Sequence, residues 1–354
     1  METKDRLRSI VVLAALTILA FGAVSAPWAS DKDRMPGLKK DVAFSEYTPL
    51  SGNAEIIRRM LSPLAAAQIP AALAKTHTRL SDQPVNLAEE KFILYVPQRE
   101  PANGYGLLVF VPPWNEGAVA PDWLPVLDES GLIFVSAARS GNDASVLGRR
   151  YPLAVLAEYN VSKQYRLDPT RIYIAGFSGG SRVALRLGLA YPDIFRGAIL
   201  NASSDPIGNS KAPLPPKDLF FRFQQSMRLA YVTGDRDIEP TINDRASMRS
   251  MRNWCVFNVD SHVEPFVAHD AMSATVLGRA IAFLSSPTHT DNESLADCRA
   301  GIDKDLNAGL NETESLIGAG KRDDAHEKLL DLDARFGGLA APRSVELFNQ
   351  LGGK

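Results

Sequence analysis

The sequence predicts an α/β protein: a mostly parallel sheet covered by helices on both faces, with a helical appendage at the C-terminal end. Three observations carry this reading. Short apolar, often β-branched runs alternate with segments of helical period across residues 91–285. One such run, Ile172-Tyr173-Ile174-Ala175, passes through Gly176-Phe177-Ser178-Gly179-Gly180 straight into a helical pattern carrying Val183, Ala184, Leu185 and Leu187. From residue 286 the composition shifts to charged, helix-forming sequence.

The chain has 354 residues, 45% hydrophobic and 23% charged, enough for one large α/β unit and a modest addition. Its start is different. Lys4, Arg6 and Arg8 precede an uncharged run over residues 10–26 that ends in Ala23-Val24-Ser25-Ala26. That is the order of a secretory signal peptide. Pro27 disfavours a cut directly after Ala26, so cleavage is expected after Ser25 or slightly later. The run falls short of the roughly 20 residues a spanning helix needs, which argues against an uncleaved anchor. Residues 1–26 are therefore expected to be a signal peptide, the protein secreted or periplasmic, and no stable membrane insertion to remain after cleavage. The net charge is −2, and losing a leader with three basic and two acidic residues moves it only to −3, so no nucleic-acid footprint is present.

Residues 31–90 form an N-terminal segment expected to pack on the core. It carries two short helices, at 54–64 and 64–73, interrupted by Pro63 and Pro70. Residues 91–97 and 106–111 read as strands, with the turn-rich 100–104 between them suggesting a hairpin. A helix beginning near Trp123, a strand at 131–135, a loop at Arg139-Ser140-Gly141-Asn142 and a helix at 150–165 follow. After the 172–175 strand and its helix come strands at 197–201, 229–233 and 255–259, with helices near 243–251 and 273–284. The insertion at 203–227 holds Phe220, Phe221 and Phe223. Together with Trp114 and Trp123 they suit either an aromatic substrate wall or plain core packing. Residues 286–354 are read as an appendage whose Leu306, Leu310, Leu329 and Phe336 recur at helical spacing. It is expected to pack on the main unit, with partner binding as the alternative. Cys255 and Cys298 are the only cysteines. An oxidising compartment permits a disulfide between them, while Cys255 equally suits a small buried hydrophobe. No Cys/His spacing fits a metal site, and no cofactor is expected.

By average composition, G-x-S-x-G arises by chance in roughly one chain in ten of this length. Between a buried strand and a helix it is far rarer, and there it forms a nucleophile elbow. Flanking glycines allow a turn so tight that a Cβ would strike neighbouring backbone. The Ser178 hydroxyl is left exposed above a helix N-terminus, where the Gly179 N–H can meet a developing oxyanion. A serine needs a base and the base an orienting carboxylate. In the α/β-hydrolase arrangement both follow the serine, acid first. Gly234-Asp235-Arg236-Asp237 closes the strand at 229–233; Asp237, three beyond the glycine, is the candidate acid and Asp235 a turn residue. His77 precedes the serine, His289 lies in a linker and His326 among charges on the appendage. His269, between the last strand and the last core helix, is the candidate base, with His262 the lesser candidate.

With elbow, acid turn and histidine loop in that order, residues 91–284 resemble an α/β-hydrolase. The elbow context Arg171-Ile172-Tyr173-Ile174-Ala175-Gly176-Phe177-Ser178-Gly179-Gly180 resembles the secreted polyhydroxybutyrate-depolymerase and feruloyl-esterase-like group. The resemblance implies a serine esterase acting through an acyl-enzyme on a small-molecule or polymeric ester. Members of that group commonly place a His-Gly pair in the loop that supplies the second oxyanion donor. Here that loop reads Pro112-Pro113-Trp114-Asn115. Proline has no N–H, so the second donor comes from Trp114 or Asn115, or is missing. A peptidase on the same scaffold, and a non-catalytic binding protein, are the alternatives.

Overall fold

The computed structural model describes residues 35–287 and 291–352, so the expected leader and His289 lie outside the described residues. Among these, eight strands form one sheet: β1 (Gly37–Val42), β2 (Phe92–Val96), β3 (Tyr105–Val111), β4 (Leu132–Ala137), β5 (Leu167–Phe177), β6 (Gly197–Asn201), β7 (Arg228–Gly234) and β8 (Val259–Glu264). Their order is β1-β2-β4-β3-β5-β6-β7-β8. β2 runs antiparallel to both its neighbours, and every other pairing is parallel.

Same-direction strands need crossovers, and helices supply them. After α1 (Asn53–Met60) and α2 (Pro63–Thr76), the strands from β3 to β8 are joined in turn by α3 (Leu124–Ser130), α4 (Tyr151–Gln164), α5 (Gly179–Ala190), α6 (Lys217–Ser226) and α7 (Ile238–Asn253). α8 (Ala274–Ser285) follows β8. The pleat splits the core in two. Ile172 and Ile174 of β5 face one layer with Leu153, Val183 and Leu187, while Tyr173, Ala175 and Phe177 face the other with Trp123, Leu127 and Leu277. Covered on both sides, these strands read as unbroken apolar runs. This is an α/β-hydrolase-like fold.

The structure corrects several sequence expectations. β2 and β3 do not form a hairpin, because β4 lies between them. All six residues of β4 are buried, which only an interior strand provides. The last strand is β8 at Val259–Glu264 and not 255–259. Val256 instead packs in the core as the chain leaves α7, and Cys255 bonds to Cys298. β8 is a half-exposed edge strand carrying Asp260, Ser261 and His262, so no apolar run marks it. β1, with Lys39, Lys40 and Asp41, carries no apolar run for the same reason, and it makes the 31–90 segment part of the sheet. Pro70 lies inside α2 rather than ending it.

The appendage comprises α9 (Asn292–Gly318), α10 (Arg322–Phe336) and α11 (Arg343–Gln350). Leu306, Leu310, Leu329, Phe336, Leu347 and Phe348 are buried in the same layer as Phe220, Phe223 and Trp254. The Trp254 ring meets Phe220 and Phe336 edge-on at 6.1 and 5.7 Å. Phe220 and Phe223 are thus core and not substrate wall, and Phe221 lies under the Arg299 guanidinium at 4.2 Å. Among the described residues no helix is long and apolar enough to cross a membrane.

The disulfide joins α9 to the end of α7 across 43 residues. Replacing both cysteines by alanine is expected to lower stability by about 2–4 kcal/mol through the freed unfolded chain. Urea denaturation of the double variant measures it.

Candidate active site

β5 delivers Ser178 at its C-terminal end, and α5 starts one residue later. Ser178 sits at φ 54°, ψ −121°, a conformation costing about 1–3 kcal/mol that surrounding structure must impose. The glycines permit it. A Cβ on Gly176 would lie 2.2 Å from the Gly180 carbonyl oxygen, and one on Gly180 only 1.9 Å from that of Val111. The Ser178 N–H donates to the Asn201 carbonyl at 2.8 Å, fixing the turn to β6.

β7 ends in the acid turn. Asp237 is 8% exposed and precedes α7. The loop from β8 to α8 passes over this turn, with Arg236 N–H donating to Val267 O at 3.0 Å. Gly234 makes the passage possible, since a Cβ there would lie 2.2 Å from Val267 O. The loop presents His269, whose Nδ1 lies 2.6 Å from Asp237 Oδ2 and whose Nε2 lies 2.9 Å from Ser178 Oγ. Three residues far apart in sequence form one hydrogen-bonded chain. Asp235 is exposed, with its N–H given to Glu264 O at 2.9 Å. His262 lies on β8 opposite Val232, in a strand rather than a loop. His77 ends α2, and His326 is half-buried with its ring stacked on Phe348.

The Pro112–Asn115 loop flanks Ser178. Trp114 packs on Phe177 at 6.0 Å, and Phe177 on His269 at 5.0 Å. The Asn115 side chain is engaged at both ends: Oδ1 accepts from Gly141 N–H at 3.1 Å and Nδ2 donates to Asp143 Oδ2 at 3.1 Å. The N–H groups of Gly179 and Trp114 meet no acceptor among the described residues. Trp123 is buried, its Nε1 donating to Met272 O at 3.1 Å.

Sequence reasoning missed Asn201. Its Oδ1 accepts from Met272 N–H at 2.8 Å and its Nδ2 donates to Val232 O at 3.2 Å. One buried residue therefore ties the serine turn, the acid-bearing strand and the histidine loop together. A carboxamide ending an otherwise apolar buried strand was the available signal. Also missed was Asp244 on α7, buried and accepting from Thr233 Oγ1. Burial, with a lesser push from Asp237, raises its carboxyl to about 7.

No protein-family model matches the chain. Over 106 residues it is 28% identical to the poly(3-hydroxybutyrate) depolymerase of Ralstonia pickettii, a match covering 26% of this chain and 22% of that protein. The likeness thus spans less than a quarter of that relative's length. Among solved structures, a ferulic acid esterase is 18% identical with a TM-score of 0.42, covering 55% of this chain and 92% of its own. Dipeptidyl peptidase 4 of Porphyromonas gingivalis is 16% identical with a TM-score of 0.40, covering 55% of this chain and 33% of its own. Likenesses of this degree assign no activity.

Asp244 also gives a pH signature. Its folded-state value lies above that of the unfolded chain, so its contribution is fully present below about pH 4 and is lost as pH rises through about 7. Asp244→Asn should flatten that part of the stability–pH profile, as melting temperatures between pH 4 and 8 would record.

Proposed function

We propose that the protein is a serine hydrolase that cleaves carboxylic esters through an acyl-enzyme. The observation that carries this is the His269 ring, bonded to Ser178 Oγ on one side and Asp237 on the other. In this reading His269 Nε2 takes the hydroxyl proton as Ser178 Oγ attacks the ester carbonyl. Asp237 holds Nδ1–H and stabilises the imidazolium that forms. The carbonyl electron pair moves onto oxygen, where the Gly179 and Trp114 N–H groups receive it at the N-terminus of α5. His269 then protonates the leaving alkoxide. Water, deprotonated by the same imidazole, releases the acid and restores Ser178. Asn115 serves through its backbone and by bracing the loop, since its side chain is already committed. Such a relay attacks esters and amides alike. The ester reading is supported by the elbow sequence and by the partial likeness to the depolymerase.

Export to the periplasm or the medium is proposed with it, supported by the leader pattern and by the Cys255–Cys298 disulfide, which persists in oxidising compartments. Cell fractionation with N-terminal sequencing should find a mature chain beginning near residue 26.

Ser178→Ala should lose fluorophosphonate labelling and about 10⁴–10⁶-fold in ester turnover. His269→Ala should be nearly as damaging, whereas His262→Ala should keep most activity. A panel of chromogenic esters and peptides separates esterase from peptidase. Undiminished turnover by folded Ser178→Ala would end the reading.

A further inference from the structure

The loop that follows β4 closes the site beside Gly179. Its backbone is fastened to the Pro112–Asn115 loop, with Arg139 N–H donating to Asn115 O at 2.7 Å and Asn142 N–H to Pro113 O at 3.0 Å. The exposed Asn142 side chain fills the space a side chain on Gly179 would take. A Cβ there would lie 2.1 Å from Asn142 Oδ1 and 3.1 Å from Nδ2. Behind it stands Arg150, 3% exposed. Arg150 Nη2 donates to Pro112 O at 2.8 Å and Nη1 to Asn142 Oδ1 at 3.4 Å. Its Nε meets no acceptor, and Asp143 acts on it only from beyond ion-pair distance, so among the described residues no carboxylate is bonded to it. A guanidinium can only donate, so the Asn142 atom facing it is the oxygen. That fixes the sense of the carboxamide, with Oδ1 the atom nearer Gly179 and Nδ2, which meets no acceptor among the described residues, the farther one beside it.

We propose that Asn142 Nδ2 is a further oxyanion donor and that Arg150 is the positioning residue that aims it. The inference rests on the serine-hydrolase reading above. When Ser178 Oγ bonds to the carbonyl carbon and the π pair moves onto oxygen, Asn142 Nδ2–H adds a side-chain donor to the two backbone ones. Drawing charge toward Oδ1, the guanidinium polarises the amide and strengthens Nδ2–H as a donor. Holding Pro112 O, it also sets the strand end from which the Trp114 N–H projects. A buried cation with two carbonyl-type acceptors and no carboxylate bonded to it is otherwise a costly thing to retain.

The deciding variant is Asn142→Asp. It keeps an oxygen toward Arg150 while removing the donor, and because its carboxylate also adds charge beside the oxyanion, a fall in turnover counts for the proposal only where the neutral Asn142→Ala shows it as well. If Nδ2 is the donor, kcat on a soluble aryl ester and the rate of fluorophosphonate labelling should both fall about 10²-fold, with KM and melting temperature little changed. Asn142→Ala should show the same split. Arg150→Lys, which keeps the charge but cannot bridge both acceptors, should lower kcat about tenfold at constant KM. If the wild type is labelled and turns over ester while Asn142→Asp equals it in kcat, this assignment is overturned and the serine-hydrolase reading stands. A wild type that takes no label overturns that reading first, and this one with it.

Discussion

Everything at the candidate site depends on how closely β5 and α5 approach the end of β3. Gly180 lies against the Val111 carbonyl with no room for a methyl group, and Gly176 lies against Gly180. That packing, with the hydrogen bond from Ser178 N–H to Asn201 O, holds Ser178 at positive φ. A non-glycine residue does not stay there unless its neighbours leave no alternative. The strain lifts the hydroxyl off the sheet edge, and the same turn starts α5 directly beneath it. The position of the Ser178 hydroxyl and the anion-favouring helix end are consequences of one constraint.

Around that turn, loops that carry polar groups are bound to one another rather than left free. Asn201 links the serine turn, β7 and the histidine loop. Gly234 lets the histidine loop lie directly over the acid turn. On the opposite side, Asn115, Gly141 and Asn142 join the Pro112–Asn115 loop to the one after β4. The base of that second loop is anchored by Glu90, 3% exposed and paired with Arg139 and Arg149. A buried carboxylate facing two guanidinium groups is compensated, whereas Arg150 has no carboxylate bonded to it among the described residues. The difference separates a structural anchor from a group turned toward the site.

The C-terminal helices belong to the same economy of burial. Their apolar faces complete the layer that holds Phe220, Phe223 and Trp254, and the disulfide fixes α9 where that layer would otherwise open. The 203–227 insertion is thereby pinned between the sheet and the appendage, and its aromatic side chains are turned inward.

Local rules carried much of this protein. Apolar runs both of whose faces are covered announce the interior strands, and Gly176, Gly179 and Gly180 announce a turn that admits no Cβ. Asp237 closes the turn after β7 and His269 lies in the loop between the last strand and α8, so turn chemistry and sequence order pointed to two residues that the fold brings to Ser178. Edge strands were hidden, because β1 and β8 bury one face at most and carry lysines, aspartates and a histidine. The strand order, with β4 set between β2 and β3, was also hidden, since pairing is decided by which strand gains most from burial on both faces. Asn201, Asn142 and Arg150 gave the weakest signals of all. Their significance lies in partners 8 to 71 residues away, and only the folded chain brings those atoms within hydrogen-bond reach.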